Sequence, residues 1–158
     1  MDQSPDITNA DLQALAEFRY QIRHFLSFSE RAARAAGIEP RQHQLLLALA
    51  GLPEGVQPTI RALADRMHLQ HHSAVELVSR LEQRGMVVRD RDRHDRRQVL
   101  VRLTPEGEAI LRQLSTTHWA ELRSRGPILA RALNAIVTAD NSFRPSPIPE
   151  DSLAARDN

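Results

Sequence analysis

The stretch from Thr59 to Thr104 leaves this chain little choice of fold. Ile60, Leu63, Ala64 and Met67 recur at i, i+3, i+4 and i+7, and so do Ala74, Leu77, Val78 and Leu81. Each series is one apolar stripe on a helix that has a single face to bury. Only Met67 to Gln70 lies between them, room for a turn and nothing more, so the second helix folds back across the first as a helix-turn-helix. Gly85 supplies the stop for the second helix. Beyond it, Met86 to Arg89 and Gln98 to Leu103 read as paired strands. Val99, Val101 and Leu103 fall on one face and Gln98, Leu100 and Arg102 on the other. The link between them, Asp90-Arg91-Asp92-Arg93-His94-Asp95-Arg96-Arg97, holds four arginines and three aspartates. It is too charged to pack and is expected to project as a finger.

The outward residues of the second helix are His71, His72, Val75, Glu76, Ser79 and Gln83. They form a compact polar face with few long charges, suited to base edges in a major groove. Ser73 and Arg80 stand beside this face, Arg80 within reach of the backbone, and Arg61 at the start of the first helix is placed to clamp a phosphate. In the finger, Arg91, Arg93, Arg96 and Arg97 are candidates for phosphates or a narrow minor groove. Asp95 is their candidate organiser, pairing with a neighbouring arginine. An exposed pair of this kind is worth about 0 to 1 kcal/mol, so its effect is on loop shape. From Thr59 to Thr104 ten Arg stand against six Asp or Glu, an excess of four, although the whole chain carries only +1. A local basic patch on a near-neutral chain is the footprint of specific nucleic-acid binding. All 21 basic residues are arginine, which reflects an arginine-biased genome more than a contact requirement.

These residues resemble the MarR (multiple antibiotic resistance regulator) family of bacterial transcription regulators, which share a winged helix-turn-helix. The resemblance is carried by Leu63-Ala64, by Ser73 to Leu81-Glu82 followed by Gly85, and by Asp95-Arg96-Arg97 with Leu103-Thr104 and Gly107. Pro40-Arg41-Gln42-His43-Gln44-Leu45-Leu46 is similar to the family's second helix, so the likeness spans roughly residues 12 to 138. It implies a homodimer, recognition helices in successive major grooves of a pseudo-palindrome, wing arginines in the flanking minor grooves, and an effector that lowers DNA affinity. Glu76 departs from the family pattern, which has a small hydroxyl or another neutral side chain there. An acid repels phosphates but can accept from cytosine N4, which narrows sequence choice.

The flanks agree with a dimer. Asp11 to Ala36 holds no proline or glycine and carries Leu15, Phe18, Ile22, Phe25 and Leu26 at helical spacing, one long helix ended by Gly37. After the wing, Thr104 is placed as an N-cap and Pro105 at the first turn of a helix bearing Ile110, Leu111, Leu114, Trp119 and Leu122. Gly126-Pro127 is expected to break it, with a last helix from Ile128 to about Val137. A second copy is the simplest cover for so much apolar surface. The expected organisation is mostly α with a small β-hairpin wing. Residues 11–138 form one domain, with dimerisation helices at about 11–36 and 105–138 and a reading head at about 40–104. The polar, proline-rich stretch 139–158 reads as a disordered tail.

Composition removes other classes. No cysteine occurs, which excludes disulfides, thiolate sensing and cysteine-based zinc sites. No secretory signal or apolar run of 18 residues is present, so a cytoplasmic bacterial location is expected. There is no phosphate loop, nucleophile elbow or other enzyme motif, and no cofactor is expected. Seven histidines raise the question of a metal. His68 and His72 have zinc-like spacing, but His68 lies in the turn, and no metal site is assigned. His24, His43 and His118 fall on three different helices and, with Phe28, are the candidate lining of an effector pocket. The resemblance suggests a small aromatic acid as the effector type. The reading is a repressor or regulator on double-stranded DNA. A winged-helix protein-docking module and a metal-responsive regulator stay open as alternatives.

Overall fold

The computed structural model describes residues 7–91 and 98–139. Seven elements follow in order: α1 (Asn9–Ala35), α2 (Pro40–Ala50), α3 (Ile60–Met67), α4 (His71–Gln83), β1 (Val87–Arg91), β2 (Val99–Leu103) and α5 (Pro105–Val137). The chain divides into two compact units, one made of Met1–Ile22 with Pro127–Asn158 and the other of Arg23–Gly126.

The unit Arg23–Gly126 holds a core of aliphatic side chains. Leu45 and Leu46 of α2, Leu63 of α3, Ala74, Val78 and Leu81 of α4 and Val101 of β2 are fully buried. Ile60, Met67 and Leu77 pack partly buried against them, so both stripes seen in the sequence are the faces that fold inward. Burying each large aliphatic side chain contributes roughly 1.5 to 3 kcal/mol. Local chemistry sets the helix ends. The Thr59 hydroxyl accepts the Ala62 N–H at 3.2 Å and caps α3. His68 ends α3 in the left-handed region at φ 51°, and the Leu69 N–H returns to the Ala64 carbonyl at 2.9 Å. A histidine there costs about 1 kcal/mol that a glycine would not, and the turn into α4 tolerates it. At the other end of α4, Gly85 takes φ +69° and the Met86 N–H bonds the Leu81 carbonyl.

β1 and β2 pair antiparallel from Val87 opposite Leu103 to Arg91 opposite Val99. The segment before α3 adds to this hairpin, with Thr59 bridged to Leu100 and the Val101 N–H donated to the Pro58 carbonyl at 2.8 Å. β1 is longer than its alternation suggests, for Asp90 and Arg91 sit in the ladder and not in the link. Charged side chains do not prevent this when backbone pairing is complete and the side chains reach water. Asp90 also meets Arg102 across the strands in a diagonal ion pair.

The Thr104 hydroxyl accepts the Gly107 N–H at 3.1 Å, the cap expected for α5, and donates to the Gly85 carbonyl. Gly107 is required by close approach, because a Cβ there would lie 2.1 Å from the Met86 carbonyl oxygen. The expected break at Gly126-Pro127 does not occur. α5 runs on through Pro127 to Val137. Proline has a helical φ and forfeits one hydrogen bond to the carbonyl four residues earlier, about 3 kcal/mol, which helix-forming residues on both sides offset. The dipeptide is instead where the two compact units divide.

In the unit of Met1–Ile22 with Pro127–Asn158, α1 opens on a reciprocal cap. The Thr8 N–H and hydroxyl donate to Asp11 Oδ2 at 2.9 and 2.6 Å, and these bonds lower the Asp11 pKa. Leu12, Leu15, Tyr20, Leu133, Ile136 and Val137 are exposed. No helix among the described residues is long and apolar enough to cross a membrane. Residues 139–158, read above as a tail, lie outside the described residues apart from Ala139.

Candidate nucleic-acid interface

On α4 the exposed residues are His71, His72, Glu76, Arg80 and Gln83, while Ser73, Val75 and Ser79 are half-buried. Exposed Arg61 stands on the first turn of α3, in the position expected of a phosphate clamp. Gln70, the N-cap of α4, makes no side-chain bond to the helix. The first N–H groups of α4 therefore have no side-chain cap, and His71 and His72 flank them. Glu76 and Arg80, four residues apart, form an ion pair. The pair cancels most of the repulsion that a lone Glu76 would exert on phosphates. A recess of about 130 Å³ brings Arg41 of α2 beside Ser73, Glu76 and Arg80. Sequence reasoning did not place Arg41 beside these residues, since nothing in its spacing links α2 to α4.

Ser79 does not stand free. Its hydroxyl donates to the Val75 carbonyl at 2.9 Å and accepts from Arg89 Nη2 at 2.6 Å. Arg89 of β1 also donates from Nη2 to the Val75 carbonyl at 3.1 Å, while its Nη1 lies 3.6 Å from Glu82 Oε2. Its backbone N–H bonds Glu82 Oε1 at 3.1 Å. The outward face of α4 is thus narrower than its sequence suggests. One stripe, Val75, Ser79 and Glu82, is covered by Arg89, and His72, Glu76, Arg80 and Gln83 are left to solvent. At the helix end, Arg84 reaches Gln42 Oε1 at 2.8 Å and the Gly37 carbonyl, tying α4 to the segments around the start of α2.

In the wing, Arg91 is exposed at the last position of β1. Arg93, Asp95, Arg96 and Arg97 lie outside the described residues, so their expected roles stay expectations. Arg102, which the sequence reading did not select, is held by Asp90.

Three of the four expected pocket residues meet. The rings of His43 and His118 stack at 5.0 Å and 11°, and Phe28 meets His118 edge-on at 5.9 Å. Phe25, not selected from the sequence, meets it at 6.0 Å. His24 is outside this stack and lies 4.0 Å from Glu121. His118 donates from Nδ1 to the Leu114 carbonyl at 2.6 Å, which leaves Nε2 to accept the Ser29 hydroxyl at 2.7 Å when the ring is neutral. His43 is only 3% exposed, and neither of its ring nitrogens has a hydrogen-bond partner. Burial, with His118 alongside, pushes its pKa down to about 4, so it is neutral at ordinary pH. A separate open groove of about 820 Å³ runs beside α5, lined by Ala50, Leu103, Leu111 and Trp119 with Arg112 and Arg123 at its sides. None of the four expected residues lines it. Among the described residues, no three His, Cys, Asp or Glu side chains gather as a metal would need.

The sequence profile of the MarR family matches residues 36–98, the head just described. The HTH-type transcriptional regulator YsmB of Bacillus subtilis is 29% identical over 121 residues, covering 74% of this chain and 81% of that protein. A transcriptional regulatory protein for the hcr operon of Thauera aromatica is 32% identical over 96 residues, 61% of this chain and 56% of that one. Both are regulators, not enzymes. Among solved structures, AbsC, a MarR family transcriptional regulator from Streptomyces coelicolor, shares the fold with TM-score 0.68 at 19% identity, over 85% of this chain and 94% of that one. CouR from Rhodococcus jostii RHA1, solved with p-coumaroyl-CoA, aligns with TM-score 0.55 at 26% identity over 77% and 88%. A variant of S. aureus MepR bound to an oligodeoxyribonucleotide aligns with TM-score 0.57 at 17% identity over 86% and 87%. On its two amphipathic helices, its hairpin and these matches, the chain is similar to the MarR family of DNA-binding transcriptional regulators, whose profile covers its head and whose fold it shares.

Proposed function

We propose that the protein is a homodimeric repressor that places α4 in successive major grooves of a pseudo-palindromic operator and its wing arginines in the flanking minor grooves. The observation that carries this reading is the solvent-facing stripe of α4, His72, Glu76, Arg80 and Gln83, next to a strand that ends in exposed Arg91. Arg93, Arg96 and Arg97 extend the contact, with Asp95 shaping the loop, and Arg61 clamps a phosphate. Residues 11–138 act as one regulator domain in which α1 and α5 are the dimerisation helices. The support is nine exposed large apolar residues on these two helices, Trp119 and Val137 being 65% and 71% exposed. A small effector relieves repression. CouR holds an aromatic acyl thioester, and this chain has an aromatic cluster of Phe25, Phe28, His43 and His118. The ring nitrogens of His43 are the natural partners for the polar end of a small aromatic acid.

Fluorescence anisotropy of the purified protein on the DNA upstream of its own gene, against a scrambled duplex and at several salt concentrations, tests the reading. A preference of around 10³-fold or more, falling steeply with salt, supports it. Equal binding to both duplexes defeats it.

A further inference from the structure

We propose that Arg89 and Ser79 form an internal clamp that fixes the wing against the recognition helix, so that this pair sets the distance along the duplex between the bases read by α4 and the flank touched by the wing. The inference rests on the reading of α4 and the wing as the DNA-contacting elements.

Arg89 follows Val87 by two residues in β1, so the strand alternation turns it to the same side as that buried valine. Its side chain keeps 28% exposure, against 63% for Arg80 and 66% for Arg102. The two terminal nitrogens of the guanidinium are spent inside the protein, while the buried Nε has no hydrogen-bond partner. It engages Val75, Ser79 and Glu82, positions i, i+4 and i+7, which form one stripe down α4. Three attachments along a helix restrict both its rotation and its slide against the strand, which a single bond could not do. The planar guanidinium spreads these contacts over two nitrogens, Nη2 to the carbonyl and the hydroxyl and Nη1 to the carboxylate, a span that the single nitrogen of an ammonium does not have. The Glu82 carboxylate completes the clamp by taking the Arg89 backbone N–H as well.

Ser79 changes meaning in this arrangement. Its one proton goes to the Val75 carbonyl, and it accepts from Arg89. It has no donor left for a base edge and acts on DNA through the position of the wing. Arg89 and Ser79 are therefore positioning residues. A rigid joint matters here because the two parts recognise different things: α4 reads base edges, and the wing follows the width of the minor groove, which is narrow in A/T-rich tracts. With the joint fixed, the two signals must fall at one separation.

The test is selection of duplexes from a random library by the full chain and by Arg89→Met, Arg89→Lys and Ser79→Ala, followed by affinity measurements on the wild-type site. The wild type is expected to select a core with an A/T-rich flank at one separation. Arg89→Met and Ser79→Ala are expected to select the same core with the separation spread over several base-pair steps. They bind the wild-type site roughly tenfold more weakly with an unchanged salt slope, since no phosphate contact is lost. Arg89→Lys is expected to fall between, and Ser79→Ala added to Arg89→Met to change nothing more. Mere loss of stability would weaken every duplex in proportion and leave the separation sharp. A fixed separation in the variants overturns the clamp, as does a changed core in Ser79→Ala or a salt slope lowered by about one in Arg89→Met. If Arg89→Met does not fold, Arg89→Lys and Ser79→Ala decide the matter. A wild type that selects no sequence defeats the DNA-reading assignment itself, a result distinct from all of these.

Discussion

α4 and α5 obey one rule inward and opposite rules outward. α4 buries Ala74, Val78 and Leu81, and α5 buries Leu111 and Leu114. Outward, α4 shows His72, Glu76, Arg80 and Gln83, which water solvates at no cost. α5 shows Trp119, Leu122, Leu133, Ile136 and Val137, each of which water penalises by about 25 cal/mol per Å². An amphipathic stripe therefore says only which side folds in. The chemistry of the other side is what separates the two helices: hydrogen-bonding and charged for α4, apolar for α5.

The largest effect that can break this contrast is on assembly. Leu133→Glu with Val137→Glu puts two charges on each copy where a dimer would bury aliphatic surface. Because a two-fold interface counts every substitution twice, the expected loss is on the order of 5 kcal/mol, and sedimentation should show monomers at micromolar concentration. An unchanged dimer would show that these positions face solvent in the assembly. Next comes Gly107→Ala, which tests the start of α5. Its Cβ would fall 2.1 Å from the Met86 carbonyl oxygen, a backbone atom that cannot swing aside. Urea unfolding should show about 3 kcal/mol or more of lost stability. Near-neutral behaviour would mean that α5 can pull back from β1 cheaply.

The buried side of the comparison is sharpened by His43, which belongs to neither outward face. Its pKa lies at about 4 in the folded chain against an ordinary 6.5. Between those values the unfolded chain holds a proton that the folded chain does not. The stability due to this neutral form is complete above pH 6.5 and is lost as pH falls towards 4, by roughly 3 kcal/mol at about 1.4 kcal/mol per unit. His43→Phe keeps a ring against His118 and removes the titration, so unfolding free energies measured from pH 7 to 4 should lose close to one proton of slope. An identical slope in both proteins would place the acid sensitivity elsewhere.

Much of the head was legible because periodicity reports burial directly. Leu63, Val78 and Leu81 are fully buried where their spacing placed them, and Thr104 and Gly85 cap or end the elements they should. What escaped depends on contacts made in space. Arg89 is one of ten arginines in the stretch. The signal that could have singled it out was its two-residue phase with Val87, which turns it inward. His43, His118 and Phe28 converge while His24, one position from Phe25, turns to Glu121, a difference of helical phase that residue type does not show. The Gly126-Pro127 break failed for another reason. Proline forbids one hydrogen bond but not the helical φ, and 33 residues of helix absorb that loss.

The smallest expected effect is the one that probes the reading face itself. Glu76 and Arg80 are ion-paired, with each side chain 63% exposed, so the pair contributes no more than about 0.5 kcal/mol to folding. Glu76→Gln should leave the unfolding midpoint almost unmoved. On DNA it acts twice. A carboxylate facing phosphates is removed and Arg80 is released to reach the backbone, so affinity for any duplex should rise a few-fold and the salt slope should steepen by up to one. The acceptor for cytosine N4 remains as the amide oxygen, but the amide also donates, so discrimination at that one base pair should relax while the rest of the site is read as before. A drop in affinity on every sequence would instead mean that the carboxylate makes a productive contact and that Arg80 depends on it for position. In that case the outward face of α4 would be an ordered charge pair presented to the groove, and its polarity would be as structured as the apolar face of α5.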